Sequence, residues 1–225
     1  MTVKFFLLSL IFVVSGNLYS QTIEEALNHH ANKDYAKSFE IMLLLAERGD
    51  VTAQHNVGNM YELGQGRGKS DADAFFWHLE AAKRDAAPSQ LKVAKFYDEG
   101  VGVQKEHAEA FYWYKKAAEA NIPEAQFFLG RAYESGRGVD VNYKEAYKNY
   151  KNASDQNYLR ARNFIAGLYS GGKGVSVDNV RSHMWWILAS PPMGQTIEKQ
   201  MTEAQKAQAK KMAKDCLESG VSSCK

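Results

Sequence analysis

The sequence predicts an all-α array of stacked helix pairs, and three observations carry that prediction. Gly64, Gly100, Gly136 and Gly172 stand 36 residues apart, and Gly66, Gly102, Gly138 and Gly174 repeat the step two residues later. Tyr61, Tyr97, Tyr133 and Tyr169 keep the same register three residues before the first glycine. The residues between these columns follow helical spacing. Glycine makes up only about 7% of ordinary chains, so a column this regular is not chance. A fixed period of roughly 20–50 residues marks a repeat architecture, in which each unit buries its apolar face against its neighbours.

The N-terminus reads as an export signal. Lys4 supplies the positive start, Phe5 to Val14 gives a short apolar run, and Ser15, Gly16 and Ser20 are small residues suited to cleavage after Gly16 or after Ser20. The run is too short to span a membrane, and no other segment reaches that length. Residues 1–20 are therefore expected to be a signal peptide. The chain is expected to reach the periplasm of a Gram-negative bacterium, or to be secreted, without stable membrane insertion.

Within each repeat a first helix, A, is set by Ala53, Val57, Gly58 and Tyr61, an i, i+4, i+5, i+8 face. The following units supply Ser89, Val93 and Ala94, then Ala125, Leu129 and Gly130, then Ala161, Ile165 and Ala166. Small residues at 58 and its equivalents admit a second helix closely. The first glycine ends helix A, because a left-handed closing residue costs glycine little. A loop leads to helix B, with Ala74, Trp77, His78, Ala81 and Ala82 on its buried face. Later copies carry Ala110, Trp113, Tyr114, Ala117 and Ala118, then Ala146, Asn149, Tyr150, Ala153 and Ser154, then Ser182, Trp185, Trp186, Ala189 and Ser190. Asn149 and Ser182 depart from the apolar pattern and mark weaker seams.

A unit such as Ala125-Gln126, Leu129-Gly130, Tyr133, Gly136, Gly138-Val139, then Ala146 and Tyr150, resembles the Sel1-like repeat, a relative of the tetratricopeptide repeat with a longer inter-helix loop. The resemblance covers residues 51–86, 87–122, 123–158 and 159–194 closely. It covers 21–50 loosely, where Tyr35, Ala36, Phe39, Leu43 and Ala46 form a degenerate first helical pair. It implies an all-α, right-handed α/α superhelical solenoid, used mostly as a scaffold for protein–protein contact. Some exported, cysteine-rich members have been described as β-lactamases. This chain lacks their cysteine pair in every unit.

After Pro191-Pro192 breaks the last helix B, residues 195–225 should form a capping helix, about Ile197 to Leu217, and a tail. Its apolar stripe is Ile197, Met201, Ala204, Met212, Ala213 and Cys216, and its solvated faces carry lysines. Cys216 and Cys224 are the chain's two cysteines. An even count in an exported chain points to a disulfide.

Charge and motifs exclude several functions. Without Lys4 the mature chain has 27 basic against 26 acidic residues, too balanced for a general nucleic-acid binder. The stretch Gly64 to Ser70 ends in Gly-Lys-Ser, but Leu63 occupies the first glycine position of a phosphate loop and a helix precedes it. Ser89 to Lys92 and Ser170 to Lys173 match Ser-x-x-Lys without the later elements of penicillin-recognising enzymes. The six histidines form no metal constellation. No catalytic, cofactor or metal residues are assigned.

The resemblance to tetratricopeptide-like stacks implies that helix A lines a concave surface with the side away from its core. Its first row is His55, Leu91, Phe127 and Asn163, its second Asn59, Lys95, Arg131 and Gly167, and its third Glu62, Asp98, Glu134 and Ser170. His55, Asn59, Leu91, Lys95, Asp98, Phe127, Arg131 and Glu134 are the partner-binding candidates, with Phe127 as an exposed aromatic anchor. The expected function is a non-enzymatic scaffold binding a protein or extended peptide. The alternative is an enzyme acting on cell-wall or β-lactam material.

Overall fold

The computed structural model describes residues 22–189 and 195–224. The segment 1–20, expected to be a signal peptide, and the expected break at Pro191-Pro192 lie outside the described residues. Among those residues every regular element is helical. They divide into two compact units, one of residues 22–93 with 101–104, the other of 94–100 with 105–224.

The first unit holds α1 (Ile23–Ala31), α2 (Tyr35–Glu47), α3 (Val51–Leu63), α4 (Asp71–Ala82) and the start of α5 (Ala87–Glu99). Thr22, Asp34, Asp50 and Ser70 each cap the helix that follows by accepting a backbone N–H. Side-chain oxygens at these positions satisfy donors that the first helical turn leaves open. Neighbours in sequence pack together, α1 on α2, α2 on α3 and α3 on α4. Their shared core contains Phe39, Ile41, Met42, Val57 and Met60, with Tyr61 and Trp77 at its edge. Trp77 is half-buried rather than buried. Gly58 meets the His78 ring so closely that an added Cβ would stand 2.7 Å from it, which is why the column is small.

The second unit holds the end of α5, then α6 (His107–Glu119), α7 (Pro123–Ser135), α8 (Tyr143–Asp155), α9 (Leu159–Gly171), α10 (Asn179–Ala189), α11 (Gln195–Glu198) and α12 (Glu203–Ser219). Each helix from α6 to α10 packs on the next, and α12 packs on α10. Tyr150, Ile165, Leu168, Met184 and Trp185 are fully buried at its centre. The two departures from the apolar pattern satisfy themselves on nearby backbone. Asn149 donates to the Glu145 carbonyl at 2.9 Å, and Ser182 Oγ to the Ala166 carbonyl at 2.9 Å.

The glycine pair has two distinct tasks. The first member is the left-handed closing residue, with φ of 67° at Gly64, 73° at Gly136 and 63° at Gly172. The second presses the loop onto the start of the preceding repeat's helix B. A Cβ would stand 2.2 Å from the Asp71 carbonyl oxygen at Gly102 and 2.1 Å from that of His107 at Gly138. Gly66 makes the same contact with the Tyr35 carbonyl of α2, so the degenerate pair receives the first repeat's loop.

Two further columns of the same period emerge from the structure. Gly49, Asp85, Asn121 and Asn157 all have positive φ in the turn from one pair to the next. Gln54, Gln90, Gln126 and Arg162 are buried polar residues near the start of helix A. Gln54 and Gln90 donate to the Ala46 and Ala82 carbonyls at the end of the preceding helix. Gln126 instead reaches the Asn121 side chain, and the longer Arg162 spans from Asn157 to the Leu188 carbonyl.

The terminal helix differs from expectation. A break at 199–202 separates α11 from α12, where Thr202 and Gln205 form a reciprocal capping box. That start rotates the buried stripe to Ala209, Ala213 and Cys216, leaving Ala204 exposed. Cys216 and Cys224 are bridged, with Cα atoms 5.4 Å apart. Among the described residues no helix is long and apolar enough to cross a membrane.

Candidate functional site

In the first unit the expected row residues meet a hydrogen-bonded cluster. Asn59 Nδ2 donates to His55 Nε2 at 3.0 Å, so the imidazole carries its proton on Nδ1 and donates it to Ser89 Oγ at 2.7 Å. One ring away, His78 on α4 lies 5.2 Å from His55, edge to face. His78 Nε2 donates to Glu62 at 2.8 Å, and Lys92 Nζ donates to the other Glu62 oxygen at 2.9 Å. Burial, then the positive neighbours His78 and Lys92, lowers the His55 pKa to about 4. Burial alone would raise Glu62, but the bonds from His78 and Lys92 outweigh it and hold the carboxylate at about 2. Burial also lowers His78, against the pull of Glu62.

Beside this cluster a cavity of about 310 Å³ opens between α1, α2, α3 and α5. Leu27, Met42, Met60 and Leu63 give it an apolar lining, and His30, Asn56, Asn59, Glu62, Gln65 and Lys92 bring polar groups to its wall. His30 Nε2 and Gln65 Oε1 pair across it at 2.9 Å. Sequence reasoning missed the cavity because α1 lacks the glycine loop that marks a repeat. The visible signal was Leu27, which stands one period before Leu63.

In the second unit the rows behave differently. Phe127 is not an exposed anchor: none of its surface is accessible. Its ring packs 5.2 Å from Tyr158 and 5.0 Å from Phe164, at the start and middle of the next repeat's helix A region. The expectation treated only the A-to-B side of helix A as core. A stacked helix A also buries the flank facing its successor, and this row lies on that flank, as the His55–Ser89 contact shows in the first unit. The partly exposed aromatics are one position later. Phe128 stacks on Tyr114 at 5.1 Å with Lys95 Nζ 5.7 Å above it, and Arg131 lies 5.9 Å over Phe164. Lys95 also bonds Glu124 at 2.8 Å.

The acidic row turns toward helix B. Glu134 accepts from the Tyr150 hydroxyl at 2.6 Å, in the position where Glu62 accepts from His78. Asp98 is one methylene shorter and takes His107 at 3.0 Å instead. His55, Asn59, Leu91, Lys95, Asp98, Arg131 and Glu134 all keep part of their surface exposed. Three of the eight residues, His55, Asn59 and Leu91, belong to the first unit and five to the second. Within each unit they divide between seams and surface.

The hydrolase motifs do not assemble. Ser89 is fully buried and bonded to His55, while Lys92 is engaged by Glu62. Ser170 bonds the Gly167 carbonyl, and Lys173 lies 5.4 Å over the Tyr143 ring. In the Gly-Lys-Ser loop, Ser70 caps α4 and Lys69 pairs with Asp71 at 3.3 Å. Among the described residues no cluster of three His, Cys, Asp or Glu side chains could hold a metal.

Comparison with known proteins agrees with this geometry. The Sel1 repeat model matches residues 51–85, 87–122, 123–158 and 159–190. A crystal structure of a Sel1 repeat protein from Oxalobacter formigenes is similar at 28% identity and a TM-score of 0.70, covering 87% of this chain and 75% of that one. A second, c5321, a protective antigen of uropathogenic Escherichia coli with an SLR fold, shares the fold at 24% identity and a TM-score of 0.57, covering 92% of this chain and 54% of that one. No curated protein matches. With four matched repeats, an all-helical fold of consecutive pairs and a solved Sel1 relative, the chain belongs to the Sel1 repeat family.

Proposed function

We propose that this protein is an exported, non-catalytic Sel1-repeat scaffold that binds a protein or peptide partner through the faces of its A helices, in the periplasm of a Gram-negative bacterium or outside the cell. One observation carries the reading. The row residues of helix A, Phe127 excepted, stay partly exposed and present polar and charged groups beside half-buried aromatics. Such a mixed surface suits a partner that supplies both apolar anchors and hydrogen bonds. Export is supported by the Lys4 and Phe5–Val14 pattern and is compatible with the Cys216–Cys224 bridge.

With Phe127 in the core, the anchor passes to Phe128, whose ring is backed by Tyr114 and flanked by Lys95. The test is a pull-down from periplasmic extract with residues 21–225, repeated with Phe128→Ala and Lys95→Ala. A specifically retained partner should be lost or weakened by about 2 kcal/mol when Phe128 is truncated. Retention of no partner, or a partner indifferent to both variants, overturns the assignment. Nitrocefin run alongside should show no turnover.

A further inference from the structure

The cavity between α1, α2, α3 and α5 has a chemistry more specific than a general contact face. Its mouth is formed by Leu63, 68% exposed, and Leu27, 49% exposed, above the buried Met42 and Met60. Single exposed leucines need no explanation, but two on the rim of one concave apolar lining make a funnel for an apolar group. About 310 Å³ is at the small end of the usual range for ligand pockets, room for one side chain and its flanking backbone rather than a large cofactor.

The polar wall defines what accompanies that group. Its charges are already committed: Lys92 to Glu62, and Glu62 to both Lys92 and His78. A charged ligand group would have to compete with these existing pairs, whose Lys92 and Glu62 side chains are half-buried, for its counter-charge. The two asparagines of the wall are oriented from behind. Asn59 turns its amide nitrogen to His55, and Asn56 turns its own to the Thr52 carbonyl at 3.0 Å. Each therefore keeps its Oδ1 without a partner among the described residues, on a side chain that lines the cavity. These carboxamide oxygens take N–H donors, and the buried Ser38 Oγ, also without a partner among the described residues, adds a neutral polar group to the same lining.

We infer that this cavity is a specificity pocket for an uncharged apolar side chain of leucine size on an extended peptide segment of the partner, whose main-chain N–H groups donate to Asn56 and Asn59. The inference rests on the reading of the chain as a peptide-binding scaffold and names the chemistry that one site selects. Along one edge of an extended segment N–H groups recur at every second residue, about 7 Å apart, so two of them can reach acceptors set about one helical turn apart on α3. A C-terminal carboxylate at the same place would bring acceptors against acceptors and a charge against Glu62.

The experiment uses residues 21–225 labelled with 15N and two acetylated probes, N-acetyl-leucinamide, blocked at both ends, and N-acetyl-leucine, which carries a free carboxylate. The amide should produce saturable shifts at Asn56, Asn59, Leu63 and Gln65, and the carboxylate should bind about tenfold more weakly. Leu63→Ser, at a surface position that leaves the core intact, should weaken the amide about tenfold with an unchanged circular dichroism spectrum. Absence of saturable shifts, equal affinity for the two probes, or indifference to Leu63→Ser overturns the pocket. If the pull-down still retains a partner sensitive to Phe128, only the pocket fails. If no partner is retained, the scaffold reading itself fails.

Discussion

At the scale of single residues, the histidine cluster makes stability depend on pH in a defined direction. His55 has its pKa lowered from 6.5 to about 4, so the unfolded chain binds the proton more readily. Its contribution is complete above the unfolded value and is lost as pH falls from about 6.5 toward 4. Glu62, held at about 2 against 4.5, adds a second loss as pH falls below its unfolded value. The groups facing both are His78 from α4 and Lys92 from α5. Thermal melts between pH 7 and 3 should show falling stability, and His55→Gln should flatten the upper part of that curve. The glycine columns give a second residue-level expectation. Gly138→Ala must fit a Cβ against the His107 carbonyl at positive φ, and should cost about 3 kcal/mol. At Gly136 the nearest obstacle is the movable Val141 side chain, at 3.0 Å, so Gly136→Ala should cost only about 1–2 kcal/mol. Urea denaturation of the two variants separates the tasks. Phe127→Ala should behave as a core deletion, losing about 3–5 kcal/mol of stability.

At the scale of elements, the repeat's helices were legible because each face recurs. Positions 53, 57 and 58 and their copies are buried where the spacing puts them, the tyrosine column is half-buried except at Tyr169, and helix A closes on the glycine. The seams between pairs were less legible. Gln54, Gln90 and Gln126 are polar residues on what is otherwise a surface-like pattern, and nothing local says that they are buried. Their role appears only when the preceding helix end is in place to receive them. Gln90→Leu should remove one of two donors to the Ala82 carbonyl, which keeps the Asp85 N–H, and cost about 0.5–1.5 kcal/mol, measured by urea denaturation. The same blindness explains Phe127. A sequence gives the angle of a side chain around its own helix, but whether that angle faces solvent depends on the neighbouring repeat. The break before α12 was missed because Thr202 and Gln205 read as ordinary polar positions until their capping contacts form. The candidate site was correspondingly half-read: Asn59 and Glu62 reach the cavity, while Leu27 and Met42 come from helices outside the clear repeats.

At the scale of the molecule, the ends are treated unequally. The C-terminal tail is fixed by the Cys216–Cys224 bridge and by Lys151 Nζ, which donates to the Ser222 carbonyl at 3.2 Å. Closing so short a loop is worth about 2–3 kcal/mol in the chain-entropy model. Reduction should therefore raise amide exchange near 216–224 well before it affects α7 and α8, because repeat arrays couple mainly to nearest neighbours. The N-terminal pair needs no covalent tie, since it offers the first loop a docking place and has no such loop to dock. That asymmetry has a consequence for synthesis. Gly66, Gly102 and Gly138 each settle onto a carbonyl less than one repeat upstream, on chain already made. As the polypeptide leaves the ribosome, every new loop finds its resting place waiting, and none has to be held open for a segment still to be translated. The array is built to mature in the direction in which it is read.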